Sequence, residues 1–117
     1  MIQTSPLTHE AVQTWHTVCP IDRILSSSGV CALVHDEQVA VFRVGEEVFA
    51  LSNFDPFSQA YVLSRGIIGD RKGILKVASP VYKQNFCLRS GRCLDDESVS
   101  VKTYPVRVEN GQVQIGK

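Results

Sequence analysis

Seven side chains of this sequence carry a thiol or an imidazole, the groups that hold soft metals or attack as nucleophiles: Cys19, Cys31, Cys87 and Cys93, with His9, His16 and His35. The cysteines are spaced by 12, 56 and 6 residues, so no Cys-x-x-Cys exists and neither a zinc ribbon nor a thioredoxin-like motif is supported. His16 lies close to Cys19 and His35 close to Cys31, but neither pair recurs later with a partner pair. Both read as residues of strands or strand ends, and no metal site is expected. Cys87 and Cys93 flank Leu88-Arg89-Ser90-Gly91-Arg92, which reads as a turn. The two thiols could face each other across a hairpin, and a disulfide between them is left open. The run Asp95-Asp96-Glu97 has the oxygen donors for a hard cation but reads as a solvated loop. No G-x-G-x-x-G is present, and Gly66-x-x-Gly69 reads as loop turns, so no dinucleotide site is expected. No Ser/His/Asp or Cys/His set assembles, so the chain is expected to carry no catalytic residue.

The elements that must position these residues are strands. At 117 residues with 44% hydrophobic and 21% charged positions, the chain has the balance of one folded domain. Its longest apolar run is five residues, Val30 to Val34, far short of the ~20 that a membrane helix needs. Met1 to Asp22 holds no Lys or Arg, so neither a secretory n-region nor a transit peptide is expected. The expected location is cytoplasmic, with reduced thiols. Residues 1–14 read as a polar N-terminal segment, and 15–117 as a single domain. Trp15 to Cys19 reads as a strand, and Pro20 to Leu25 as one helical turn closed by Ser26-Ser27-Ser28-Gly29. Val30 to His35, Val39 to Val44 and Val48 to Leu51 read as a meander, with turns at Asp36-Glu37 and Gly45-Glu46. Asn110-Gly111 predicts a two-residue hairpin that puts Val108 opposite Val113 and Val106 opposite Ile115, all on one face. Val99 to Tyr104 alternates in the same way. The class is all-β, a small sandwich or partly open barrel.

Twelve basic and twelve acidic residues cancel, which argues against nucleic acid as the main partner. The cancellation hides an asymmetry: residues 1–60 carry a balance of −5 and residues 61–117 a balance of +5. Between Arg65 and Arg92 lie seven basic residues and one acidic residue, Asp70. That stretch reads as a solvated face or as a docking surface for an acidic partner.

Two segments and the C-terminal hairpin carry a resemblance. Ala50-Leu51-Ser52-Asn53-Phe54-Asp55-Pro56-Phe57 resembles the first cluster-binding loop of Rieske-type ferredoxins, A-x-x-N-x-C-P-H. Ser79-Pro80-Val81-Tyr82-Lys83-Gln84-Asn85-Phe86, continuing to Leu94, resembles the second, C-P-x-H-G-W-x-F-D-x-x-T-G-x-x-L. Tyr104 to Val113 is similar to the closing hairpin of that family. The resemblance implies a Rieske-like [2Fe–2S] ferredoxin-type fold from about Trp15 to Ile115. It also implies that Asp55, Phe57, Ser79 and Tyr82 stand where the four cluster ligands would be. A Rieske cluster needs two thiolates and two imidazoles, so the site is expected to be cluster-free. Phe54, Phe57, Tyr82, Lys83, Gln84 and Arg89 are the candidate partner interface.

A Rieske-like domain of this length without its ligands resembles the small subunits of cytoplasmic NAD(P)H-dependent assimilatory nitrite reductases. The resemblance implies a non-catalytic subunit that supports a large subunit reducing nitrite to ammonium. FAD, an iron–sulfur cluster and sirohaem would then sit on that large subunit, and no cofactor on this chain. The alternative is a cluster-free binding or regulatory module of another oxidoreductase system.

Overall fold

The computed structural model describes residues 14–117. The polar segment expected over 1–14 therefore lies, apart from Thr14, outside the described residues. Thr14 and Lys117 exchange backbone hydrogen bonds of 3.1 Å in both directions, which ties the two ends of the domain together.

Four antiparallel sheets make up the fold. The first contains β1 (Trp15–Pro20), β11 (Gln112–Gly116) and β10 (Val106–Glu109), in that order. The second is the meander β2 (Ser28–Val34), β3 (Glu37–Val44) and β4 (Glu47–Ser52). β5 (Phe54–Asp55) and β6 (Ala60–Tyr61) form a small pair. The last sheet is β7 (Ile67–Arg71), β8 (Ile74–Ala78) and β9 (Asn85–Cys87). Single 3₁₀ turns occupy Ile21–Arg23, as expected, and Leu63–Arg65.

β3 explains why the sequence shows an unbroken Val39-Ala40-Val41-Phe42 run instead of alternation. Both of its faces are covered. Ala40 and Phe42 enter a core with Phe49, Leu51, Leu63, Val77 and Phe86. Val39 and Val41 enter a second core with Ile24, Tyr104, Val113 and Ile115. A strand buried on both sides needs apolar residues at every position. Gly29 sits opposite Phe42 in the β2–β3 ladder, where an added Cβ would lie 2.7 Å from the ring.

The hairpin over Asn110-Gly111 has the predicted register, with φ of 54° and 77° at the two turn residues. Val113 and Ile115 are buried, while Val108, on the edge strand near the turn, stays exposed. The Gly45-Glu46 turn also falls where expected, between the paired Val44 and Glu47. Two expectations are corrected. The β2–β3 turn is His35-Asp36, one residue earlier than predicted, because Val34 pairs with Glu37 and both turn residues take positive φ, 49° and 67°. Asp tolerates that region, so a second Asn-Gly-like turn is hidden in His-Asp. Val99 to Tyr104 does not form a strand. Its backbone changes partner every residue or two: Val101 N–H donates to Gly91, Lys102 O accepts from Ser52, and Tyr104 N–H donates to Ala50. Packing of Val99 and Val101 on the first core accounts for the alternation without a ladder, and Tyr104 enters the second core.

Candidate functional site

The two segments singled out in the sequence meet at one tip of the domain. Asn53 shapes the first loop from below. Its buried side chain accepts the Ser64 N–H at 2.7 Å and donates to Gln38 Oε1 at 3.1 Å. Its backbone N–H donates to Gln38 O at 2.9 Å, and its carbonyl accepts from Leu63 N–H at 3.1 Å. The loop then turns at Asp55, whose carbonyl accepts the Gln59 N–H at 2.7 Å. The second loop closes on itself: Ser79 N–H donates to Gln84 O at 2.9 Å and Lys83 N–H to Ser79 O at 3.1 Å. Lys83 takes φ of 67° to do so, which carries its side chain outward, exposed.

Asp55 and Ser79 join the loops. The Ser79 hydroxyl donates to Asp55 Oδ2 at 2.5 Å, and both residues are buried. The same carboxylate accepts the Ser58 hydroxyl at 2.8 Å and, on Oδ1, the Phe57 N–H at 2.9 Å. Burial pushes the Asp55 pKa up, but the donors of Ser79, Phe57 and Ser58 outweigh it and hold the group ionised, below the usual carboxylate value. Phe57 turns inward, its ring 6.1 Å from that of Phe86 and packed on the first core. Tyr82 turns outward and is 61% exposed. Its chain neighbour Val81 is also exposed, and in the first loop the Phe54 ring packs 5.1 Å from that of the exposed Tyr61. Gln84 Oε1 is buried without a hydrogen-bond partner.

The tip therefore brings together Phe54, Asp55, Phe57, Ser79, Tyr82, Lys83 and Gln84. It does not include Arg89. That guanidinium lies beyond the opposite end of β9, in a two-pronged pair with Glu47 at 2.7 and 3.1 Å and 5.2 Å from the Phe49 ring centre. Arg71 is likewise paired, with Asp95 at 3.2 Å. The basic stretch is thus not one continuous cationic face. Asp95 is not a free loop carboxylate either: it accepts the Asn85 N–H at 2.8 Å and fixes the start of β9. Cys87 and Cys93 are both free. Phe86 is the residue opposite Cys93, so the adjacent Cys87 points to the other side and the suggested disulfide does not form. Tyr61 and Val81 were not singled out as tip residues. Val81 lies in a polar loop, and Tyr61, although it pairs with Phe54 in the β5–β6 ladder, is left exposed.

Comparison with known proteins follows this geometry. The Rieske-like [2Fe-2S] domain family matches residues 14–116. The nitrite reductase (NADH) small subunit of Escherichia coli (strain K12) is 53% identical over 103 residues, covering 86% of this chain and 95% of that one. The chain belongs to the Rieske-like domain family. Within that family it groups with the nitrite reductase small subunits. The NMR structure of the E. coli protein NirD superposes with a TM-score of 0.83 at 52% identity, covering 89% of this chain and 96% of that one. The same module also occurs inside a much longer protein. The nitrite reductase [NAD(P)H] large subunit of Klebsiella oxytoca is 45% identical over 102 residues, which is 87% of this chain and 11% of that one.

The family description implies a [2Fe–2S] centre, and the residues at the tip do not fit one. The cluster takes soft thiolates on one iron and imidazoles on the other. Here the inward-facing donors are one carboxylate and one hydroxyl, each already engaged, and Phe57 offers only carbon. Asp55 and Ser79 bond to each other, and Phe57 and Tyr82 point in opposite senses, into the core and into solvent.

Proposed function

We propose that the chain is the cluster-free small subunit of an NAD(P)H-dependent nitrite reductase and docks on the large subunit through the Asp55–Ser79 tip. The observation that carries the reading is the Asp55–Ser79 bond, which replaces two ligand positions with a strut. It occurs in a chain that remains 53% identical to a nitrite reductase (NADH) small subunit. A strut keeps the two loops in place without a cluster to clasp, and preserves their outer surface. That surface presents Tyr61, Val81 and Tyr82 to solvent, with Lys83 beside them. Exposed aromatic residues with a neighbouring cation are the composition of a binding hot spot. The occupant is the large subunit, because a relative of that name contains this module within its own chain.

In this division of labour the small subunit holds no redox group. Electron transfer from NAD(P)H through flavin, iron–sulfur cluster and sirohaem takes place on the large subunit, in the cytoplasm. Among the described residues no helix is long and apolar enough to cross a membrane. The test is recovery of this chain from its native extract, followed by an NADH-dependent nitrite assay on the bound fraction. A sirohaem flavoprotein with that activity supports the reading. An iron-loaded, coloured small chain with no such partner contradicts it.

A further inference from the structure

His16 and His35 were read in the sequence as isolated residues, each near a cysteine. The fold pairs them with each other instead. His16 lies on β1, an edge strand of the β1-β11-β10 sheet. His35 follows β2, the edge strand of the neighbouring sheet. Their Nε2 atoms are 3.1 Å apart, with ring centres at 4.5 Å and planes inclined by 75°. The inclined rings bring the two nitrogens within hydrogen-bonding distance of each other instead of stacking face to face. The pair closes one end of a cleft of about 510 Å³ lined by residues 16–19 of β1 and 30–35 of the β2 region. Cys19, with Arg23 near it, lies toward the other end.

Two facing Nε2 atoms share one proton between them, and a metal ion can take the place of that proton. With metal–nitrogen bonds of about 2.05 Å, the observed 3.1 Å separation corresponds to an angle at the metal of roughly 98°. That lies between the tetrahedral and octahedral values, so the nitrogen separation suits two cis positions. Imidazole nitrogen selects zinc, copper and nickel over magnesium and calcium. Among the described residues no group of three or more His, Cys, Asp and Glu is placed around one ion. The described residues thus supply two ligands, and water can take the remaining positions.

We propose that His16 and His35 form an open two-imidazole site for a divalent ion of the zinc, nickel and copper class, stitching the edge of one sheet to the edge of the next. The site is remote in sequence and in chemistry from the Asp55–Ser79 tip, and it stands independently of the docking reading. The test is calorimetric titration of the chelator-treated full chain with zinc sulfate, using magnesium as control, together with thermal unfolding. One saturable zinc per chain and a raised Tm are expected. His16→Ala and His35→Ala should each bind at least about tenfold more weakly and lose the Tm increase, while Cys31→Ser behaves as the parent. Imidazole nitrogen NMR of the unmutated chain covers the case of a variant that does not fold, and zinc should shift the Nε2 signals of His16 and His35 first. Zinc uptake unchanged in both alanine variants, no saturable uptake by the parent chain, or signals of those two rings that stay in place would overturn the proposal.

Discussion

The β8–β9 hairpin has two ends, and they treat polar groups in opposite ways. At the tip, between Ala78 and Asn85, the polar side chains turn inward: Ser79 and Asp55 are buried and bonded to each other, and Tyr82 and Val81 are left in solvent. At the far end, just past Cys87, the charges lie at the surface and pair with one another, Arg89 with Glu47 across 42 residues of sequence. A buried, fully bonded carboxylate is a fixture of the fold, whereas an exposed ion pair is worth little. The difference teaches that charge density along the sequence is a poor guide to an interface here. Arg89 at the far end is already paired with Glu47, while Val81 and Tyr82 at the tip lie exposed.

The comparison can be broken most severely at Asp55. Asp55→Ala strands the Ser79 and Ser58 hydroxyls and the Phe57 N–H, and should cost about 3 kcal/mol in urea unfolding. Glu47→Ala at the far end should shift the midpoint far less. Equal shifts would erase the distinction between the two ends.

A pH profile sharpens it. Glu37 anchors the C-terminal end of the domain: the Tyr104 hydroxyl donates to it at 2.6 Å, with Lys117 at 3.2 Å and Lys102 at 3.4 Å. The Tyr104 bond, then Lys117 and Lys102, lower its pKa from the ordinary 4.5 to about 2. The folded state thus binds this proton less readily than the unfolded chain. The stabilisation is present in full above about pH 4.5 and is lost as pH falls toward about 2. Glu37→Gln should therefore be less stable at pH 7 and flatter through the acid limb, with the two curves converging near pH 2. Parallel curves across that window would show that Glu37 is not the group responsible.

The smallest expected effect is on association kinetics. Lys83→Glu should slow binding to the large subunit at low salt, and the difference should fade as salt is raised. Removing the neutral pair as a whole, Arg89→Gln with Glu47→Gln, should leave the rate unchanged.

Much of this was legible in the sequence, for physical reasons that differ by element. Asn110-Gly111 announced its hairpin because two adjacent positive-φ residues select one turn type. The hairpin over Lys72-Gly73, with φ of 51° and 88°, uses the same geometry but was not read as one. Lys is a poor advertisement for that turn. The two loops were legible by residue type and order, and with them the family. That Asp55 and Ser79 bond to each other was not, since nothing local links positions 24 residues apart. The pairing of Arg89 with Glu47 and of His16 with His35 was hidden for the same reason.

The most direct test is the equilibrium affinity for the large subunit of two variants side by side: Tyr61→Ser with Tyr82→Ser at the tip, and Arg89→Ser at the far end. The tip variant should bind at least about tenfold more weakly with its fold intact, and the far-end variant should bind as the parent. Unchanged affinity at the tip, with loss at Arg89, would contradict the account and move the interface to the other end of the hairpin.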